Sequence, residues 1–544
     1  MLIICRSESK HAVAERLVSL EPIIKKICSV AGAPGISLAV SYQGEVVHRA
    51  NYGYRDVEAS LPTNSDTMYP IGTLAKTFTA SAIGILVDEG KLKWTTPIRE
   101  ILPEFQSSDP TVNENLTVVD LLCHRGGLAR SNLWWQGAEG VLFLDKSETI
   151  SFYNKLAPVG SFRADWAYSN WGYAVVGEVI EKLSGMWYGE YLSKKIFEPL
   201  GLNHTTTRSL DSATAENVAK PYAALDDTSP YLLPQPPVHE GTIMAPAMGG
   251  SSSADDLLRY SMALLEAQHF ETNGSKTSPA PVLKNALTHL SGHIFTAKSM
   301  LEKSYAFGFY RSQLPSTVLG MGWNSIYVKK MPKLVPRGHC GPVIAHGGSL
   351  PGYHTAMALL PDLGSSVVVC TNSIALGDVS GWVSLAIIEA LIDTPRPSDF
   401  ASLATEAAQA NANNVSVLVE RLEVARTTAN SSPRPLGEYI GRYYDRAHNW
   451  AIEIRKNKSG DGLEVAFQGL NSQVWALKHY ENDTFLWLAS REEQAKRGRM
   501  TTYPLVANHF KLIFQNGADG AINSVCWPHE AGVPMAEQCF MRVK

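Results

Sequence analysis

Two stretches more than three hundred residues apart, Gly35-Ile-Ser-Leu-Ala-Val-Ser-Tyr and Ser365-Ser-Val-Val-Val-Cys-Thr, both read as strands. Most of what separates them reads as helix or loop. A strand cannot satisfy its backbone alone, so these segments imply one sheet completed by distant parts of the chain, with a helical lobe inserted between them. Residues 8–30 carry Val13, Leu17, Leu20, Ile23, Ile24 and Ile27 at helical spacing and predict one packing helix. Gln43-Gly44 turns the first strand back into Glu45–Gly53 as a hairpin. A helix opens near Thr73, carries Phe78, Ala82, Ile85 and Leu86 on its apolar face, and stops at Gly90. The chain reads as extended from Leu92 to Trp94, and short helical turns follow from Ile98 and Leu116. In the middle, Tyr173–Ser184 and Tyr188–Glu198 are the clearest helices, the second closed by Gly201. Residues 225–242 and 312–340 read as loops long enough to frame a binding site. Strand His354–Pro361 and helix Val379–Ile392 complete this part.

Beyond residue 396 the character of the chain changes. Residues 397–434 turn to Ala, Asn, Ser and Pro, with a polar helix at Val415–Ala425, and read as a linker. From Pro435 short alternating strands dominate: Ala451-Ile-Glu-Ile, Leu463-Glu-Val-Ala-Phe, Phe485-Leu-Trp-Leu and His509-Phe-Lys-Leu-Ile-Phe. Turns such as Asn516-Gly-Ala-Asp-Gly separate them, as in a small antiparallel β-barrel. The expected division is therefore 1–396, a linker at 397–434, and a β domain at 435–544.

Composition removes several function classes. With 544 residues, 18% charged and a formal net charge of −4, the chain has no electrostatic case for binding nucleic acid. No stretch approaches about 18 consecutive apolar residues, so no membrane partner is expected. The seven cysteines are scattered and odd in number, which favours reduced thiols in a cytoplasmic setting. No metal-ligand spacing occurs, and neither a metal nor an organic cofactor is implied. Oligomeric state is not readable.

Chemistry concentrates in three places. In Met68-Tyr-Pro-Ile-Gly-Thr-Leu-Ala-Lys, Thr73 and Lys76 rise from one face of a helix start, a hydroxyl beside a possible base. A free lysine has a pKa near ~10.4, and a helix N-terminus lowers it by less than one unit, so burial has to supply the rest. Alone, the pair reads equally as a helix cap and a surface lysine. Asp165-Trp-Ala-Tyr-Ser-Asn puts Tyr168 and Asn170 just ahead of a helix. A tyrosine beside a lysine makes phenolate and ammonium accessible together, so Tyr168 becomes a general base for Thr73. In Ala345-His-Gly-Gly-Ser-Leu-Pro-Gly-Tyr, two glycines allow close backbone approach to a ligand. The Ser349 amide then pairs with that of Thr73 as an oxyanion hole, and His346 bonds substrate or tyrosine. The plain alternative for this motif is a tight turn.

Together these motifs resemble the S-x-x-K, Y-x-N and K/H-x-G set of serine β-lactamases and penicillin-binding proteins. The likeness is greatest to the class C branch, with its esterases, D-aminopeptidases and lovastatin-type fungal acyltransferases. Connecting phrases fit as well: Asp120-Leu-Leu-Cys-His-Arg-Gly-Gly-Leu, Gly172-Tyr-Ala-Val-Val-Gly, Glu198-Pro-Leu-Gly-Leu and Gly249-Gly-Ser-Ser-Ser-Ala-Asp-Asp-Leu. The resemblance covers roughly residues 15–395, and the tail resembles the lipocalin-like domain often appended to this family. It implies an α/β fold, an antiparallel sheet flanked by helices plus an all-helical lobe, with the site between. It also implies acyl transfer: Thr73 as nucleophile, Lys76 and Tyr168 moving protons, Asn170 orienting substrate or lysine. His346 takes the polar position on the last strand, Gly348 allows close approach, and Ser349 lends its amide. His124 and Arg125 fall in a structural loop and receive no catalytic role.

One position departs from the pattern: the family has serine where this chain has Thr73. The formal S-x-x-K at Ser7–Lys10 lacks the helix entry and is no substitute. Threonine keeps the hydroxyl, but its methyl restricts χ1 and crowds a tetrahedral intermediate. At roughly 1–3 kcal/mol of crowding the rate falls about 5- to 150-fold. Three readings follow. The first is a hydrolase or acyltransferase acting on an ester, thioester or amide of a small metabolite, carrier-bound acyl donors included. The second is a non-covalent acid/base catalyst of cyclisation, elimination or isomerisation. The third is an inactive binding protein, which the intact Lys76, Tyr168, Asn170 and His346 argue against. Trp134, Trp135, Trp171 and Trp323 fall in segments able to border a cleft, implying a bulky apolar substrate, unless they are ordinary packing residues. Resemblance to fungal acyltransferases suggests secondary metabolism as the setting.

Overall fold

The computed structural model describes residues 8–210, 217–274, 280–338, 341–428, 431–446, 448–499 and 506–543. Cys5, Cys340 and the Ser7 of the rejected motif lie outside them. The helix expected over 8–30 is two helices, α1 (Lys10–Val18) and α2 (Glu21–Ala31), because Pro22 sits in the first turn of the second. Leu92–Trp94 forms no strand.

Nine strands make the central sheet. In chain order they are β1 (Gly35–Tyr42), β2 (Glu45–Asp56), β3 (Leu61–Pro62), β4 (Ile294–Phe295) and β5 (Lys303–Tyr305). Then come β6 (Tyr310–Gln313), β7 (Pro342–Leu350), β8 (Tyr353–Leu360) and β9 (Ser365–Thr371). Their spatial order is β3-β2-β1-β9-β8-β7-β6-β5-β4, every pairing antiparallel. The two terminal segments meet at the centre, where Ile36 lies opposite Thr371 and Ser41 opposite Ser366. The run of valines in β9 follows from burial on both faces. Val368 and Cys370 point into the core shared with the helical lobe, while Val367 and Val369 point into the opposite layer.

Helix α3 (Ala75–Asp88), α4 (Asn170–Ser184) and α5 (Ala254–Asn273) form the lobe side. α4 starts where the Ser169 hydroxyl accepts the Gly172 N–H and ends at Gly185 in the left-handed conformation. Behind the sheet, α6 (Val379–Leu391) packs with α1 and α2. The stretch 397–434, expected as a linker, holds α7 (Phe400–Ala412) and α8 (Asn414–Ala425). α7 inserts Phe400, Ala404 and Ala407 into that same layer, so only the part beyond it stands between the two domains.

The C-terminal domain is a closed barrel of β10 (Gly441–Tyr444), β11 (Ala451–Lys456), β12 (Leu463–Phe467), β13 (Val474–Glu481), β14 (Thr484–Leu486), β15 (Lys511–Asn516), β16 (Ile522–Cys526) and β17 (Cys539–Arg542). Trp450, Trp475, Trp487 and Trp527 are buried together with Phe467 and Phe485 in its core. Cys526 and Cys539 stand directly opposite on paired strands and form a disulfide, which corrects the expectation of reduced thiols for this pair. Linear spacing hid a cross-strand neighbour. Cys28, Cys123 and Cys370 are free. Among the described residues no helix is long and apolar enough to cross a membrane.

Candidate active site

The site begins with a bend. Gly72 takes φ +53°, and a Cβ there would lie 2.8 Å from the Ser349 backbone nitrogen, so only glycine fits this approach. Gly72–Leu74 forms a single 3₁₀ turn that delivers the chain into α3, with Thr73 at its centre and 8% exposed. Lys76 follows on the first turn of α3 and is completely buried.

The Lys76 amine donates to the Asn170 side-chain oxygen at 2.7 Å and to the Ala247 carbonyl at 2.9 Å. It also stands 5.1 Å from the Tyr168 ring centre and 5.2 Å from that of Tyr173. Burial holds its pKa well below the ordinary lysine value. Tyr168 shares the cavity wall with Thr73, and burial first, and then Tyr310, push its phenol well above the ordinary tyrosine value. Burial thus works against charge on both groups. Both directions run against the ammonium–phenolate pair expected from the sequence, because desolvation penalises each charge. A neutral amine has two N–H bonds and one lone pair. Both N–H bonds are committed to Asn170 and Ala247, which leaves the lone pair free.

His346, Gly348 and Ser349 lie within β7 rather than in a turn. β7 pairs with β6 as far as Ala345, opposite Tyr310. Past that point the strand runs against Ile71 and Gly72. A Cβ on Gly348 would sit 2.0 Å from the Ile71 carbonyl oxygen, to which Thr355 donates at 3.0 Å. The glycines thin the strand so that Thr73 and the Ser349 backbone come together. His346 Nδ1 donates to the Gly347 carbonyl at 2.7 Å, so Nε2 carries the lone pair. Burial and the neighbouring Lys76 bring the His346 pKa down to about 3. The ring is neutral, and its buried Nε2 has no partner among the described residues.

These side chains surround a cavity of about 250 Å³, to which Thr73, Lys76's partner Asn170, Tyr168 and all of 346–349 contribute. Of the four tryptophans expected at a cleft, Trp135 and Trp323 line it. Trp134 packs on Trp450 of the barrel, and Trp171 is buried, stacked on Phe152 at 4.2 Å. Trp166 lines the cavity unforeseen, as do Arg130, Asn132, Gln136 and Asp378. Asn132 accepts the Asn170 amide N–H at 3.0 Å. Its only signal in the sequence was its place in the connector after Gly126-Gly127-Leu128. His124 accepts the Ser169 N–H at 3.1 Å and packs 4.3 Å from the Tyr168 ring, steadying the Tyr168–Asn170 turn. Among the described residues no group of three or more His, Cys, Asp or Glu is placed to hold a metal.

Comparison with known proteins gives a consistent set of relatives. The beta-lactamase family model matches residues 23–379, and that of a domain of unknown function, DUF3471, matches 425–542. An unguisins hydrolase of Aspergillus campestris is 25% identical over 68% of this chain and 64% of its own length. A second, from Aspergillus violaceofuscus, is 26% identical over 64% and 60%. The chain thus spans less than two thirds of either. A beta-lactamase of Providencia stuartii is 27% identical over 54% of this chain and 71% of its own. Among solved structures, the octameric penicillin-binding protein homologue from Pyrococcus abyssi shares the fold with a TM-score of 0.57, at 22% identity over 87% of this chain and 94% of that one.

Proposed function

The chain belongs to the beta-lactamase family, and from that premise we propose that it is an acyl-transfer hydrolase with a threonine nucleophile. Thr73 Oγ attacks the carbonyl carbon of an ester, thioester or amide. The new C–O bond forms as the carbonyl π pair moves onto oxygen, which faces the backbone N–H groups of Thr73 and Ser349. The threonine proton ends on the Lys76 lone pair, with Tyr168, on the same cavity wall, able to relay it. Collapse breaks the bond to the leaving group, which takes that proton back. Water then attacks the acyl-threonine by the reverse sequence and frees the acid. The observation that carries this reading is the completely buried Lys76 amine, donating to only two acceptors and held by burial well below the ordinary lysine pKa. The unguisins hydrolases and beta-lactamases among the relatives favour release to water over transfer to an alcohol.

The cavity supports a substrate class. At about 250 Å³ it is near the lower end of ~300–1,000 Å³ ligand pockets and suits one apolar or aromatic acyl group beside Trp135, Trp166 and Trp323. The His346 Nε2 lone pair calls for a donor, an amide N–H or a hydroxyl, near the reacting carbonyl. A non-covalent acid/base catalyst remains the second reading, favoured by the threonine itself. Turnover of p-nitrophenyl esters by the wild type, Thr73→Ala and Lys76→Met separates them. The covalent route requires both variants to lose activity; substantial turnover by Thr73→Ala points to non-covalent chemistry.

A further inference from the structure

The wall of the cavity that carries Asn132, Trp135 and Gln136 is held by the other domain. Ser131 takes φ +42°, a conformation a non-glycine residue keeps only when its surroundings impose it. On one side Trp171 donates its indole N–H to the Ser131 carbonyl at 3.3 Å. On the other, the barrel's Glu530 accepts the Ser131 N–H at 2.9 Å. Further along, the buried Gln473 side chain clasps Ala138, accepting its N–H at 2.7 Å and donating to its carbonyl at 3.0 Å. Leu133 and Ala138 are members of the barrel's own hydrophobic core. Glu530 sits in the loop that the Cys526–Cys539 disulfide closes.

We infer that the C-terminal barrel completes the active site, with Glu530 and Gln473 as positioning residues that act through Asn132 on Asn170 and Lys76. The path is one of direct contacts: Glu530 fixes Ser131, the adjoining Asn132 takes the Asn170 N–H, and Asn170 thereby turns its oxygen toward Lys76. An amide has two faces of opposite hydrogen-bonding sense. With Asn132 displaced, Asn170 no longer holds its oxygen toward Lys76, and the amine loses the position the reaction needs. A displaced wall also admits water to the buried amine.

The inference rests on Lys76 being the base, and the test is built to separate the two. Full-length Glu530→Ala, Glu530→Gln, Asn132→Ala, the Glu530→Ala/Asn132→Ala double variant and Lys76→Met are assayed on p-nitrophenyl butyrate across pH, with thermal midpoints measured in parallel. Glu530→Ala should lower kcat about 10- to 100-fold, the scale of a misplaced catalytic group, with KM within about 3-fold. The acid limb of its kcat profile should move to higher pH, as Lys76 returns toward an ordinary lysine. Glu530→Gln keeps a carbonyl acceptor for Ser131 and should recover most of the rate. The double variant should be no slower than Asn132→Ala alone. A Glu530→Ala enzyme with an unmoved pH limb, which does not depend on the folded fraction, or losses that add in the double variant after correction for the folded fraction read from the thermal midpoints, overturns the inference. Lys76→Met with wild-type turnover overturns the base assignment and the inference with it. An inactive Lys76→Met beside a wild-type-like Glu530→Ala overturns the inference alone.

Discussion

The Lys76 amine and the Asn170 side-chain oxygen lie 2.7 Å apart in a fully buried setting, and that contact uses one of the two N–H bonds of a neutral lysine. Because burial lowers the Lys76 pKa, the chemistry acquires a definite pH dependence. The amine is the reactive form only when deprotonated, so turnover should rise with pH through its depressed pKa. Lys76→Arg, permanently charged, should be inactive across the range.

The same depression has a stability signature. Between the folded pKa and about 10.4 the unfolded chain holds a proton that the folded chain does not. Wild-type stability should therefore rise with pH in that window relative to Lys76→Met, by up to about 1.4 kcal/mol per pH unit for one proton. Urea unfolding at pH 7 and 9 reads the difference; parallel curves for the two proteins would contradict a neutral buried amine.

His346 works in the opposite pH range. Its folded pKa is about 3 against an ordinary 6.5, so the unfolded state binds the extra proton as pH falls below 6.5. Stability from this group is thus lost progressively from pH 6.5 toward 3. His346→Gln should flatten that acid slope by about one proton and leave no change in the kcat profile between pH 5 and 8. A limb near pH 6.5 that disappears in His346→Gln would mean the ring titrates normally.

Thr73→Ser tests the crowding argument. Relief of roughly 1–3 kcal/mol should speed ester turnover about 5- to 150-fold, whereas Thr73→Val, without a hydroxyl, should be inactive. Slower turnover by the serine variant would show a site shaped around the threonine methyl.

The thinned strand is testable by contrast. Gly348→Ala puts a methyl 2.0 Å from the Ile71 carbonyl and should cost stability on the scale of overpacking, about 1–3 kcal/mol, along with most activity. Gly437→Ala, with nothing within 4 Å, should change melting little or raise it slightly. Equal melting shifts for the two would contradict the close approach of β7 to Ile71.

What was legible in the sequence was chemistry held at short range. Thr73 with Lys76, Tyr168 with Asn170, and His346 with Gly348 and Ser349 each announce themselves within a few residues, and the structure brings all three motifs to one cavity, with Lys76 bonded to its Asn170 wall. The sheet was legible because β1, β8 and β9, buried along their whole length, are short runs dominated by apolar and small residues. The protonation of Lys76 was not, since burial is a property of the whole lobe packed round α3. His346-Gly347-Gly348 left a tight turn open as the alternative because glycines usually mark one; here they narrow a strand against Ile71. Asn132, Gln136 and Glu530 escaped because their roles arise where a loop meets a domain some four hundred residues away. Pro22, which divides the first helix in two, was present in the sequence as a signal and outweighed by periodicity.

The central claim is that Thr73 carries the acyl group. Intact-mass analysis after exposure to a fluorophosphonate and, separately, to a short-chain p-nitrophenyl ester, followed by peptide mapping, tests it most directly. The expected result is a single adduct on Thr73 that is lost in both Thr73→Ala and Lys76→Met. Ester turnover at full rate with no adduct on Thr73, or with one on another residue, would contradict it.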